Sequence, residues 1–194
     1  MALNICVLYG SVRTQREGIK AAHYVMSQLK QSGHQVTLID AKEENLPLLD
    51  KRYMDYGKGE APANLERLAE LYRNTDAFVI VTGEYNASLQ PGLSNLLDYF
   101  YHEYFHRPVG ILSYSVGNFG GIRAGVQLRA TIPALGMISI PTPLLISGIM
   151  NAFDEEGHPT DASLPKRTKD FLDELAWYAR ALKSERIKGL PGQI

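Results

Sequence analysis

Ile5-Cys6-Val7-Leu8-Tyr9-Gly10-Ser11-Val12-Arg13-Thr14-Gln15-Arg16-Glu17-Gly18 runs from an unbroken apolar stretch, through a polar loop, into the start of a helix. An apolar run without alternation suits a strand covered on both faces, as in the middle of a parallel sheet. The loop carries glycine at each end (Gly10, Gly18), the hydroxyls of Ser11 and Thr14, and the guanidinium groups of Arg13 and Arg16. Where such a loop enters a helix, free backbone N–H groups and the positive helix end converge, and an anion is favoured. Ser11 can donate to a phosphate oxygen, and Arg13 and Arg16 can make paired, charge-assisted bonds to it. The same residues would also serve as a solvated polar turn with two surface arginines. No Gly-Lys-Ser/Thr closes the loop and the chain contains no G-x-G-x-x-G, so neither a P-loop nor a dinucleotide fingerprint is present. A mononucleotide phosphate is the ligand this leaves.

Outward from this loop the chain alternates. Ile19, Ala22, Met26 and Leu29 recur at helical spacing before Gly33, which predicts a helix over 18–32. Gln35–Asp40 reads as a strand, 42–62 as a long polar connection, and Leu65, Leu68, Ala69 and Tyr72 as a second helical stripe. Ala77–Gly83 is a strand apolar on both faces, followed by a turn-rich segment and a helix from about Leu93 through Leu96, Leu97, Phe100 and Tyr101. Pro108–Tyr114 is a fourth strand, 122–135 a helix, 137–146 a fifth strand and 166–183 a last amphipathic helix. Five strand–helix repeats imply an α/β fold with a parallel sheet, right-handed crossovers and helices on both faces. Ligands of such sheets lie beyond the carboxyl ends of the strands, where the loops after strands one, three and four should meet.

Composition narrows the partners. With 194 residues and no break in composition, one domain over 1–194 is expected. Lysine and arginine (20) nearly cancel aspartate and glutamate (21), so no strong field gathers nucleic acid or an anionic membrane, and a small-molecule partner is expected. The first apolar run has no basic residue before it and is too short for a signal peptide, and no later segment approaches a membrane span. A cytoplasmic protein is the expectation. Cys6, the single cysteine, falls inside the first strand, where a thiol acts as a small apolar group.

Three places in the chain resemble the NAD(P)H-dependent FMN reductases and the quinone or azo-dye reductases of the flavodoxin-like fold. Gly10-Ser11-Val12-Arg13 looks like that family's G-S-x-R phosphate loop, Glu84-Tyr85-Asn86 like its E-Y-N flavin loop, and 115–121 like its glycine-rich third loop. Asn95 and Asp98 fall where the family's helix has N-x-x-D, while Gly83 stands where proline is common and Ser94 where lysine is frequent. The resemblance implies a flavodoxin-like three-layer sandwich with a five-stranded parallel sheet in the order 2-1-3-4-5, and FMN as cofactor with NADPH or NADH as co-substrate. It implies that Ser11, Arg13 and Arg16, in the loop closed by Gly18, hold the FMN phosphate. Tyr85 and Asn86, with the backbone around Glu84, would contact the isoalloxazine, and Ser115, Gly117 and Gly120 would approach its pyrimidine edge. Electrons would pass to free flavin, a quinone or a similar planar acceptor, in a homodimer or homotetramer. Hydride transfer between stacked rings needs no protein acid or base, so no proton-transfer residue is named.

Other motifs carry less. His102-Glu103-Tyr104-Phe105-His106 matches H-E-x-x-H, but Arg107-Pro108 ends the helix at once and Val109 and Leu112 stand where the extended zinc-site pattern needs Gly and His, so no metal site is assigned. Ser113-Tyr114-Ser115-Val116-Gly117 approaches the G-x-S-x-G elbow but lacks its first glycine. Tyr99, Phe100, Tyr101, Tyr104 and Phe105 crowd one helix beyond what a single stripe buries, which points to a subunit interface. Tyr53 and Tyr56 in the 42–62 connection suggest a flap over a neighbouring flavin. Two other functional classes share the scaffold: an FMN-binding electron carrier without a nicotinamide site, and a non-enzymatic ligand-binding protein.

Overall fold

A computed structural model describes residues 2–190, so residue 1 and residues 191–194 of the expected 1–194 domain lie outside the described residues. The strands are β1 (Asn4–Tyr9), β2 (Gln35–Asp40), β3 (Ala77–Gly83), β4 (Pro108–Tyr114), β5 (Ile138–Ser139) and β6 (Leu144–Ile146). The helices are α1 (Gly18–Gln31), α2 (Ala41–Glu44), α3 (Ala63–Arg73), α4 (Pro91–Asp98), α5 (Ile122–Thr131) and α6 (Leu164–Lys188). The sheet runs β2-β1-β3-β4-β5, all parallel, with β6 also paired to β4. This is the order that the resemblance implies, with β6 as a sixth strand.

Alternation along β1 explains the layers. Ile5, Val7 and Tyr9 face one core with Ala21, Ala22, Val25 and Leu29 of α1 and Phe171 and Leu175 of α6. Cys6 and Leu8 face a second core with Leu65 and Leu68 of α3, Leu93 and Leu97 of α4 and Leu128 of α5. A strand buried on both faces has no polar side to show, which is why its sequence reads as continuous apolar. At the end of α1, Gly33 takes φ +82° and His34 N–H closes back on the Leu29 carbonyl at 3.1 Å, the left-handed stop expected of that glycine.

Several boundaries differ from the sequence reading. The fifth strand, expected over 137–146, is broken into β5 and β6 because Pro141 and Pro143 bring no N–H to the ladder between them. Helix α4 stops at Asp98, and the H-E-x-x-H stretch contains only a 3₁₀ turn, His102–Tyr104, with His106 at φ +59°. Its two histidines are therefore not stacked on one helix face. Tyr99, Phe100 and Tyr104 are buried in the chain's own core, where Tyr72 meets the Phe100 and Tyr104 rings at 4.9 and 5.4 Å. Only Tyr101 and Phe105 of that aromatic group remain half-buried.

The 42–62 connection folds onto its own chain. Asn95 of α4 accepts from Leu49 N–H at 2.9 Å and donates to the Pro47 carbonyl at 2.8 Å, and Tyr99 Oη donates to the same carbonyl at 3.0 Å. Tyr53 packs on the second core with Tyr56 and donates to Glu66 at 2.8 Å. Helix α6 overruns its predicted end because Lys183 and Arg186 reach Asp76 at the amino end of β3, at 2.8 and 3.5 Å. Among the described residues no helix is long and apolar enough to cross a membrane.

Candidate functional site

The carboxyl ends of β1, β3, β4 and β6 open onto a cavity of about 590 Å³. Its walls are the 11–18 loop, the β3–α4 loop through Gly83, Glu84 and Tyr85, the β4–α5 loop through Ser115 and Val116, and Ile149 and Met150 after β6. Of the sequence-predicted residues, Ser11, Arg13, Arg16, Gly18, Glu84, Tyr85 and Ser115 line it together. Asn86, Gly117 and Gly120 do not line the cavity.

The two arginines of the first loop differ in their surroundings. Arg13 is exposed at the rim and makes none of the ion pairs among the described residues. Arg16 has a side chain only 13% exposed, and its guanidinium donates to the Ser11 carbonyl at 3.0 Å, to Asp40 at 2.5 Å and to Glu43 at 3.3 Å. It also lies 5.5 Å from the Tyr9 ring centre. Burial works against this charge, yet the bond to Asp40 prevails and raises the Arg16 pKa above its ordinary value. The pair with Asp40 cancels its charge and fixes the loop, so the free cation for an anionic ligand is Arg13. The Ser11 hydroxyl is turned inward beside the phenols of Tyr9 and Tyr114, and the residue is 2% exposed.

The second and third loops are tied to each other. Tyr85 and Ser88 exchange backbone bonds of 3.0 and 2.9 Å across a two-residue turn, with Asn86 and Ala87 both in the left-handed region at φ +49° and +61°. That turn puts Asn86 at an exposed tip and leaves Tyr85 half-buried against the cavity. Glu84 accepts from the Arg123 backbone N–H at 3.1 Å and from its guanidinium at 3.0 Å. Helix α5 begins after Gly121, which has no side chain to cap it, so Glu84 caps it from another element. In the third loop, Ser115 Oγ donates to the Gly117 carbonyl at 2.9 Å, and Gly120, at φ +58°, gives its carbonyl to Ser113 at 2.8 Å. These two glycines shape the turn rather than face the cavity.

Sequence reasoning missed the cavity floor, which is made by Gln90 and Tyr114. Gln90 Nε2 donates to the Tyr114 hydroxyl at 3.2 Å, and that hydroxyl meets the Tyr9 hydroxyl at 3.4 Å. Burial raises the pKa of both phenols, so they remain neutral hydrogen-bonding groups. A Cβ on Gly18 would lie 2.0 Å from the Tyr114 ring, and one on Gly83 would lie 2.9 Å from both that ring and the Gln90 amide. Glycine at 83, where proline is common in the resembled family, thus has a local physical cause. No periodic signal marks Gln90, a polar residue in a loop before Pro91. Ile149 and Met150 follow from extending the strand-end rule to the loop after the last strand.

A sequence profile described as NADPH-dependent FMN reductase matches residues 3–151. The chain belongs to the NADPH-dependent FMN reductase family. Relatives in keeping with that family include an NAD(P)H-dependent FMN reductase of Pseudomonas aeruginosa, 33% identical over 133 residues that cover 66% of this chain and 71% of the relative. A quinone reductase of Pseudomonas putida is 28% identical over 184 residues, covering 91% of this chain and 95% of the relative. Among solved structures, the NAD(P)H:(acceptor) oxidoreductase FerB of Paracoccus denitrificans superposes with a TM-score of 0.76 at 21% identity, covering 93% of this chain and 98% of that one, and shows the shared fold.

The cavity suits the family's cofactor on its own evidence. An exposed, unpaired guanidinium, that of Arg13, lines it in the loop that leads into α1, where a phosphate is favoured. An aromatic, an aliphatic and a thioether side chain (Tyr85, Val116, Met150) line it from the other loops. Of the two polar atoms of the buried Gln90 amide, which also lines it, Oε1 has no hydrogen-bond partner within the chain.

Proposed function

We propose that this cavity holds FMN, its phosphate at the 11–18 loop and its ring between the β3–α4 and β4–α5 loops, and that NADPH or NADH reduces it there. Membership of the family makes the chain an FMN-dependent oxidoreductase. Bound FMN would supply hydride acceptance from the nicotinamide and electron delivery to an acceptor. The chain's own residues then bind, orient and exclude water. Arg13 binds the phosphate, Arg16 with Asp40 holds the loop open toward it, and Glu84 with Arg123 fixes the spacing of the two ring loops. Tyr85, Val116 and Met150 present an apolar wall on which a second planar molecule can stack. The acceptor is a quinone, free flavin or azo compound of that shape.

The observation that carries the reading is the meeting of Arg13, Tyr85 and Ser115, from three separate loops, in one cavity. A dimer or tetramer belongs to the same proposal, supported by the exposed apolar side chains of Phe119, Ile122 and Val126, which do not line the cavity. So do the extent of the FMN-binding domain over 1–194 and a cytoplasmic location. Purified protein, reconstituted with FMN if needed, should be yellow, bleach under anaerobic NADPH and recover its colour with a quinone. Protein that binds no FMN overturns the proposal. Flavin that stays oxidised under both NADPH and NADH would make the chain an electron carrier instead.

A further inference from the structure

Arg13, Arg16, Glu17 and Glu84 are the charged side chains among the described residues that line the cavity. The first three belong to the loop that enters α1. There Arg16 is cancelled by Asp40, Glu17 pairs with Lys20 at 2.8 Å, and Arg13 serves the phosphate. Glu84 alone brings a formal charge to the other walls, the loops between which the ring is proposed to lie.

Arg123 does not neutralise that charge inside the cavity. Its guanidinium meets the Glu84 carboxylate at 3.0 Å but does not line the cavity, and its side chain is 56% exposed against 13% for Glu84. It also lies 5.4 Å from the ring centre of Phe119, itself exposed. Water and salt screen the exposed member of such a pair far more than the nearly buried one, so a group within the cavity feels mainly the carboxylate. The same carboxylate accepts from the Arg123 N–H in the first turn of α5, and so occupies a helix end whose positive dipole would otherwise favour an anion.

We propose that Glu84 holds down the reduction potential of the bound flavin. A flavin gains negative charge near N1 when it is reduced, and a carboxylate between the two ring loops opposes that charge. The cavity then binds the reduced cofactor less tightly relative to the oxidised one, and electrons pass on more readily to acceptors of low potential. This rests on the FMN reading above. It gives Glu84 an electrostatic role in addition to capping α5.

The test is the midpoint potential of the FMN-loaded protein, read anaerobically by equilibration with reference dyes. Glu84→Gln keeps an oxygen for the Arg123 N–H and removes the charge. Its potential should rise by about 30 mV, which for a two-electron couple is about a tenfold gain in affinity for reduced over oxidised FMN. Arg123→Gln removes the opposing charge and leaves the cap, and should lower the potential by about 15 mV, about threefold in the same ratio. Loops that were merely loosened would shift both variants in one direction, so opposite signs identify the charge as the cause. A Glu84→Gln potential at or below that of wild type overturns the proposal, and so does an Arg123→Gln potential at or above it. Should Glu84→Gln fail to fold, Arg123→Gln, altered at an exposed side chain, decides alone by the same criterion. A wild type that binds no FMN overturns the FMN reading itself.

Discussion

Arg13 and Arg16 stand three residues apart in one loop and differ in everything but charge. Arg13 is free at the rim, whereas Arg16 is bonded to Asp40 and to the Ser11 carbonyl. Replacing Arg13 by alanine should raise the FMN dissociation constant about tenfold to a hundredfold, as expected for a charge-assisted bond, and leave the melting temperature of the flavin-free protein unchanged. Arg16→Ala should instead unfold more easily, by about 3 kcal/mol in chemical denaturation, because it strands the nearly buried Asp40 carboxylate. Equal effects of the two substitutions on affinity and stability would refute this division. The sequence reading placed both arginines on the phosphate because residue type and loop context do not distinguish them. What separates them is register: β2 lies beside β1 so that Asp40 is opposite Tyr9, which brings a carboxylate to Arg16 from a distant part of the chain.

At the level of elements, the coupling between the second and third loops is carried by one carboxylate. Glu84 lies in the β3–α4 loop and caps α5, whose first residue follows a glycine at φ +73°. Glu84→Ala should lower stability by about 1 kcal/mol, the usual effect of losing a helix cap, and weaken FMN binding by releasing both loops. Glu84→Gln, which can still accept from the Arg123 N–H, should recover most of each effect in paired thermal-melt and titration measurements. Recovery by neither measure would mean that the ion pair with the Arg123 guanidinium, not the cap, sets the loops. The existence and chain order of the strands and of the longer helices were legible because β1, β3 and α1 have strong apolar patterns, whereas the four-residue α2 at the start of the expected polar connection was not. Their ends were not. Pro141 and Pro143 break the last strand, tertiary bonds from Asp76 prolong α6, and aromatic packing of Phe100 and Tyr104 replaces the last turns expected of α4.

Across the whole molecule, two separate cores fill the space between three layers, and tyrosines are sunk in both. Burial raises the pKa of Tyr9, Tyr53, Tyr72, Tyr99, Tyr104 and Tyr114 above the ordinary value of 10, and pushes the Cys6 thiol up to about 11. Each is an acid held neutral by the fold, so its stabilisation is complete below its unfolded pKa and is lost as pH rises toward its folded one. Stability should therefore decline above about pH 9 to 10 in urea titrations, with the tyrosinate absorbance of these six, out of eleven tyrosines, appearing only together with unfolding. Tyrosinate absorbance from all eleven while the fold stays intact would contradict the burial of these phenols. The faces on which the two cores lie were foreseeable from β1. The burial of Tyr99, Phe100 and Tyr104 within the chain was not, since a helix-period pattern cannot say whether surplus aromatics meet another element or another molecule.

The divided outer strand has a further effect. β5 and β6 are two and three residues long, separated by a stretch with two prolines, and offer no continuous row of backbone donors and acceptors to a newcomer. Growth of the sheet by addition of a foreign strand is blocked along that margin, and with it one common route to fibrous aggregation. Copies of this molecule that associate there must do so through side chains.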